Sequence, residues 1–121
     1  ATKEVEMEHE EVKEEIQFDD FVKTDIRIGE VIAAEKIKKA NKLLQLQVDL
    51  GFETRTIVSG IAEHYAPEDI IGKKVTVLLN LAPRKIRGVE SNGMILMAEN
   101  ANGELAFVSP EKEFLNGAEV R

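Results

Sequence analysis

Residues 25–59 read DIRIGEVIAAEKIKKANKLLQLQVDLGFETRTIVS, and their alternations decide the fold. Leu44, Leu46, Val48 and Leu50 alternate with Gln45, Gln47 and Asp49, the period of a strand with one face buried and one wet. Gly51-Phe52-Glu53 turns the chain, and residues 54–59 (TRTIVS) supply a partner strand, so the two form a hairpin. Upstream, Ile26 and Ile28 hold one phase, while Val31, Ala33 and Ile37 hold the other. The slip falls at Gly29-Glu30, and one extra residue at a glycine is the pattern of a β-bulge. A bulge lets a long first strand bend around a closing sheet, so a small barrel is expected.

The flanks extend this pattern. Gly60 stops the third strand, residues 61–65 make a helical turn, and Pro67-Glu68-Asp69 starts another that ends at Gly72. Residues 73–79 (KKVTVLL) are a fourth strand and residues 94–99 a fifth. Asn100-Ala101-Asn102-Gly103 turns into a further strand over 104–108, and the end, SPEKEFLNGAEVR, reads as loop anchored by Phe114 and Val120. On the other side, Phe18-Asp19-Asp20-Phe21 reads as a turn whose aromatics plug one end of the core. The expected fold is all-β: a five-stranded oligomer-binding (OB) barrel with a short helix between strands 3 and 4 and a C-terminal extension.

The 121 residues suffice for one domain with its own core. Residues 18–121 form that domain; residues 1–17, ATKEVEMEHEEVKEEIQ, read as an acidic flexible linker, becoming helical near Ile16. Like charges recur there at i,i+4 and the apolar stripe is thin. The start at Ala1 instead of Met suggests processing or a fragment of something longer. There is no Cys, hence no disulfide framework and no thiolate chemistry, which fits a reducing compartment. No apolar run approaches the ~20 residues that span a bilayer, so no membrane partner is expected. The net charge of −7 conceals an asymmetry: residues 1–20 hold nine acids against two lysines, leaving fourteen of each sign for the rest. A neutral body with clustered cations remains compatible with nucleic acid.

Catalysis finds little support. No phosphate-loop glycine motif and no metal-spaced set of His or Cys occurs, and neither His9 nor His64 has a partner at a suggestive spacing. Cations are another matter. Lys36, Lys38, Lys39 and Lys42 fall within seven residues, and between Asp69 and Glu90 lie Lys73, Lys74, Arg84, Lys85 and Arg87 without an acid. In an OB barrel the turn before strand 2 and the loop between strands 4 and 5 share one mouth, so the two clusters make a phosphate-binding surface. Strands 2 and 3 contain no aromatic on which a base could stack, which directs the reading to folded RNA recognised by shape, phosphates and 2′-hydroxyls.

Three stretches, FDDFVKTDIRIGEVIAAEKIKKANKLLQLQVDLG, IVSGIAEHY and VLLNLAPRKIRGVESNGMILMAE, resemble the EMAP-II-like tRNA-binding domain family. Within it the chain is most similar to the domain appended to the C-terminal end of bacterial methionyl-tRNA synthetases. The resemblance covers residues 18–121. It implies a non-catalytic OB barrel without a cofactor, cytoplasmic, homodimeric through its terminal regions, and binding the outer corner of tRNA without strong sequence preference. If the chain is a fragment, the catalytic part of the synthetase is a further partner. Free-standing dimeric tRNA-binding proteins and chaperone-like peptide binders belong to the same family and remain alternatives.

Residue by residue, the family's turn before strand 2 matches Ala40-Asn41-Lys42-Leu43-Leu44 beside Lys38 and Lys39, with Lys42 implied as a phosphate contact. Its basic loop matches Pro83-Arg84-Lys85-Ile86-Arg87-Gly88, and its Ser-x-Gly-Met signature matches Ser91-Asn92-Gly93-Met94. For Ser91 and Met94 the alternative is structural, since a serine can satisfy a turn backbone and a methionine can fill a core.

Overall fold

A computed structural model describes residues 9–121. The chain passes through a short helix, α1 (Phe18–Val22), then β1 (Ile26–Ile37), β2 (Ala40–Asp49) and β3 (Thr54–Ser59). After α2 (Pro67–Ile70) come β4 (Lys74–Leu78), β5 (Arg84–Ile86), β6 (Val89–Ser91) and β7 (Met94–Ile95), followed by β8 (Met97–Glu99) and β9 (Leu105–Phe107). One antiparallel sheet runs in the order β3-β2-β1-β4-β7; β5-β6 and β8-β9 are separate hairpins.

The alternation in β2 does what its period requires: Leu44, Leu46 and Val48 are fully buried and Gln45 and Gln47 are half-exposed. They meet Val31, Ile57, Val75, Val77 and Ile95 in one core, with α2 sealing it through Ile70. Each such side chain contributes about 1.5–3 kcal/mol by leaving water. The sheet curls until β3 meets the chain entering β7. There Asn92 N–H donates to Thr56 O at 2.9 Å and Val58 N–H donates to Ser91 Oγ at 2.9 Å. The expected five-stranded arrangement, helix between strands 3 and 4 and C-terminal extension are all present. Closure rests on these few bonds instead of a full ladder.

The bulge lies three residues beyond its expected place. Val31 pairs with Val48 and Ala33 with Gln47, so Ile32 is the extra residue, while Gly29 sits in regular register against Val75. Gly29 and Val31 share the inner face. The glycine is needed for clearance, because a Cβ there would lie 2.6 Å from Val48 Cγ1. Ile28 is buried on the opposite face beside Thr76, whose hydroxyl donates to Val108 O. Apolar residues thus occur on both phases because both faces are covered here.

The fifth strand is divided. β7 stays on β4 and β8 leaves to pair with β9, with Leu96 N–H still donating to Thr76 O at 2.9 Å. The expected anchors at the termini also differ. Phe114 and Val120 are exposed, and the tail is held by backbone along the free edge of β1. Gly117 N–H donates to Ile28 O, Ile28 N–H to Ala118 O, and Val120 N–H to Ile26 O, at 2.7, 2.9 and 2.8 Å. Phe18 and Phe21 do not plug the core. The aliphatic side chains of β1 to β4 already fill it, and α1 buries no residue. Helix begins at Phe18, not near Ile16, where Asp20 Oδ2 accepts from Gln17 N–H at 3.0 Å. Residues 1–8 of the expected linker lie outside the described residues; residues 9–17 are exposed and carry neither helix nor strand. Among the described residues no helix is long and apolar enough to cross a membrane.

Candidate nucleic-acid interface

The basic stretch before strand 5 is a hairpin and not a loop. Arg84 pairs with Ser91, Lys85 with Glu90 and Ile86 with Val89, leaving Arg87-Gly88 as a two-residue turn. Their φ values of 52° and 81° are both positive, as a type I′ turn demands. The signal was available in Ile86-Arg87-Gly88-Val89, two apolar residues flanking a pair that ends in glycine.

This register sorts the cations. Arg84, Ile86 and Ser91 face a small cleft with Val58, Gly93 and Met94. Lys85 points the other way, directly opposite the acid Glu90, which weakens its field. Arg87 stands exposed at the tip. Ser91 is buried, its hydroxyl accepting from Val58 N–H and donating to Gly93 O at 3.3 Å. Met94 is 43 % exposed, so it does not fill the core.

On the opposite flank, Lys38 and Lys39 form the two-residue turn between β1 and β2, with Lys39 at φ 62°. Asn41 and Lys42 follow, exposed, at the start of β2. Ala62 N–H donates to Lys42 O at 3.1 Å and Leu44 pairs with Ser59, so Lys42 lies along the end of β3. The same end of β3 binds Ser91 through Val58. The last residues of β3 therefore have Asn41 and Lys42 on one side and the basic hairpin on the other. Lys38, Lys39, Lys42, Arg84, Lys85 and Arg87 are exposed and make no salt bridge among the described residues.

Other cations are already committed. Lys74 is half-buried, 3.4 Å from Glu30 Oε1 and donating to Asn116 Oδ1, and Lys73 and Lys74 lie at the far end of β4 from the hairpin. Neither adds to the surface as the sequence reading had it. Asp25 accepts from Arg27 Nε at 2.8 Å and holds that guanidinium above its ordinary pKa, while Arg27 Cζ sits 5.0 Å from the Phe52 ring centre. Arg55 is half-buried: Nη1 donates to Leu79 O at 2.8 Å, and Nε pairs with Glu53.

Beside the hairpin root runs an open groove of about 590 Å³, lined by Thr54, Arg55, Thr56, Asn92 and residues 79–83. Leu81 and Ala82 also line the hairpin cleft, so the two are continuous. No aromatic lines either. Tyr65 and Phe107 pack on each other against the core, ring centres 4.8 Å apart. Among the described residues no three or more of His, Cys, Asp and Glu gather as a metal site. Away from all this, Phe18, Phe21, Val22, Ile26 and Val120 line a cleft of about 330 Å³ between α1 and the C-terminal residues.

Known proteins resemble this arrangement. The sequence model of the tRNA binding domain family matches residues 26–119. The chain is 64% identical over 108 residues to the methionine–tRNA ligase of Flavobacterium johnsoniae, a match covering 89% of this chain and 15% of that protein. The chain spans only 14% to 18% of the length of such curated relatives. Among solved structures, a MetRS related protein from Pyrococcus horikoshii is 43% identical with a TM-score of 0.85, covering 90% of this chain and 100% of that one. The chaperone CsaA from Bacillus anthracis is 28% identical with a TM-score of 0.81, covering 89% and 100%.

Proposed function

This chain belongs to the tRNA binding domain family, and from that premise we propose that it is the tRNA-binding and dimerisation module of a methionyl-tRNA synthetase. It grips the outer corner of tRNA by shape and phosphate contacts, in the cytoplasm, and its covalent partner is the catalytic part of the enzyme. The observation that carries this reading is the placement of Lys42 and the basic hairpin on the two flanks of the end of β3. Lys38, Lys39, Lys42, Arg84 and Arg87 contact phosphates, with Lys85 weaker because Glu90 faces it. Asn41 and Met94 contact the ribose and base surface at the same mouth. Ser91, buried and doubly bonded, fixes the hairpin against β3 instead of touching RNA.

With no aromatic in the groove, affinity comes from cations matched to phosphates that a folded RNA holds in a fixed array. A flexible strand must lose entropy to imitate that array. A competition at fixed salt among two tRNAs of unrelated identity and a polyuridine oligomer tests this. The tRNAs bind alike, and the oligomer more weakly by about tenfold, or ~1.4 kcal/mol. An oligomer that competes equally would leave charge as the only thing read.

A second reading rests on the apolar cleft beside α1 and the likeness to a chaperone: a peptide-binding module. An unfolded polypeptide that binds with the affinity of tRNA, insensitive to salt, would favour it.

A further inference from the structure

The hairpin's ladder fixes its shape but not its aim, and the aim is set at its root. The excursion leaves β4 at Leu79 and returns to β7 through Asn92. The returning limb is tied down twice, Asn92 N–H to Thr56 O and Val58 N–H to Ser91 Oγ. On the departing limb Leu79 N–H donates to Asp25 O and Asn80 bonds the backbone of Asp25 and Lys23, while residues 81–83 beyond them make no hydrogen bond among the described residues. One side chain spans the gap. Arg55 Nη1 donates to Leu79 O at 2.8 Å and reaches Asn92 O at 3.4 Å. Nε meanwhile pairs with the Glu53 carboxylate, which fixes the plane of the guanidinium.

Resting on the tRNA-binding reading, we propose that Arg55 is the positioning residue of the basic hairpin, a clamp that joins the carbonyls at both roots and so holds Arg84 and Arg87 in register with the RNA. Nη1 carries two N–H groups and can serve both carbonyls while Nε stays on Glu53, whereas a lysine has one nitrogen, a bond nearer the backbone, for all three partners. Glu53 neutralises the charge locally, so Arg55 adds aim and not phosphate attraction. That separates it from the cations it positions, although it lines the neighbouring groove.

The test uses the intact chain and its Arg55→Ala and Arg55→Lys variants, with amide exchange measured without RNA and tRNA titrated at several salt concentrations. Loss of a charged hydrogen bond at the root accelerates exchange over 84–91 by about tenfold, with 44–48 unchanged. Affinity for tRNA falls by about fivefold because the hairpin must be ordered on binding, while the log–log salt slope stays put. Arg55→Lys behaves like Arg55→Ala, since the lysine keeps charge and stem but its nitrogen falls short of the Nη1 position and cannot meet both carbonyls while pairing with Glu53.

Unchanged exchange over 84–91 overturns the clamp. So does a salt slope flattened by about 0.7–0.9, which makes Arg55 itself a phosphate contact. Full recovery in Arg55→Lys, or loosening of 44–48 in both variants, also overturns it, leaving only charge or general stability. If the parent chain binds no tRNA, the functional reading fails while the exchange data still judge the clamp.

Discussion

Gly29 faces Val48 across the inside of the barrel so closely that a Cβ built on the glycine would lie 2.6 Å from Val48 Cγ1 and 3.1 Å from Leu50 Cδ2. β1 changes partners next to this point: β4 pairs with it through Glu30 and β2 from Glu30 onward. The strand that turns between the two walls of the barrel therefore has to come nearest to β2 here.

Gly29→Ala should accordingly destabilise the domain, by about 1–3 kcal/mol through overpacking. Denaturant unfolding of the single variant and of Gly29→Ala/Val48→Ala measures it. The double variant should lose less than the sum of the two single losses, because the methyl added at 29 takes the space that Val48→Ala vacates. Simple additivity would mean that the two sites do not press on one another.

The phosphate contacts have a thermodynamic signature of their own. Replacing Lys42, Arg84 and Arg87 with Ala together should leave unfolding nearly unchanged, since all three are exposed and make no salt bridge among the described residues. The log–log salt slope of tRNA binding should flatten by roughly 0.7–0.9 for each true contact removed. A slope identical to that of the parent would make these loops ordinary solvated surface.

What the sequence made legible divides along physical lines. Leu44, Leu46 and Val48 announce a half-buried strand because burial on one face leaves a period of two. Asn100 to Gly103 announce a turn through local backbone chemistry, and there Asn100 Oδ1 accepts from the N–H groups of Asn102 and Glu104. β1 misled because the period of two fails once Ile28 and Gly29 are buried on opposite faces. Phe18 and Phe21 misled because apolarity does not say whether a side chain enters its own core. At the site, the positions of Lys42, Arg84 and Arg87 could be inferred, but not the fact that Glu90 faces Lys85 or that Arg55 bridges two carbonyls. Those depend on hairpin register and on a pair of distant loops meeting.

Ser91→Ala separates support from contact. It leaves the part-buried Val58 N–H without its acceptor, which costs about 0.5–1.5 kcal/mol. Thermal or denaturant unfolding should register that loss, while the salt slope of tRNA binding stays at the parental value. A parental stability combined with weakened binding would instead place the hydroxyl on the RNA.

The termini carry the last expectation. Ile95 is buried in this chain's own core and Met97 and Phe107 pack partly against it, so they are largely spent within the chain. Among the apolar residues exposed near the termini are Ile16 at 66 %, Phe18 at 76 %, Val22 at 58 % and Leu115 at 82 %, with Phe21, Phe114 and Val120 less so. Phe18, Phe21, Val22 and Val120 line one cleft, and aromatic side chains offer about 150–250 Å² each for burial. Two copies related by a two-fold axis present the same patch to each other, and a standard interface needs about 800 Å² from each. A homodimer built on α1 and the C-terminal edge is the expectation, and it would set two basic hairpins on one particle. Sedimentation at tens of micromolar should show that dimer, and Phe18→Asp with Val22→Asp should convert it to a folded monomer, since neither side chain is in the core. The monomer should also bind an RNA bearing two tRNA corners less tightly than the dimer does, by loss of avidity alone. A parent chain that sediments as monomer throughout this range leaves the cleft without a second copy to fill it.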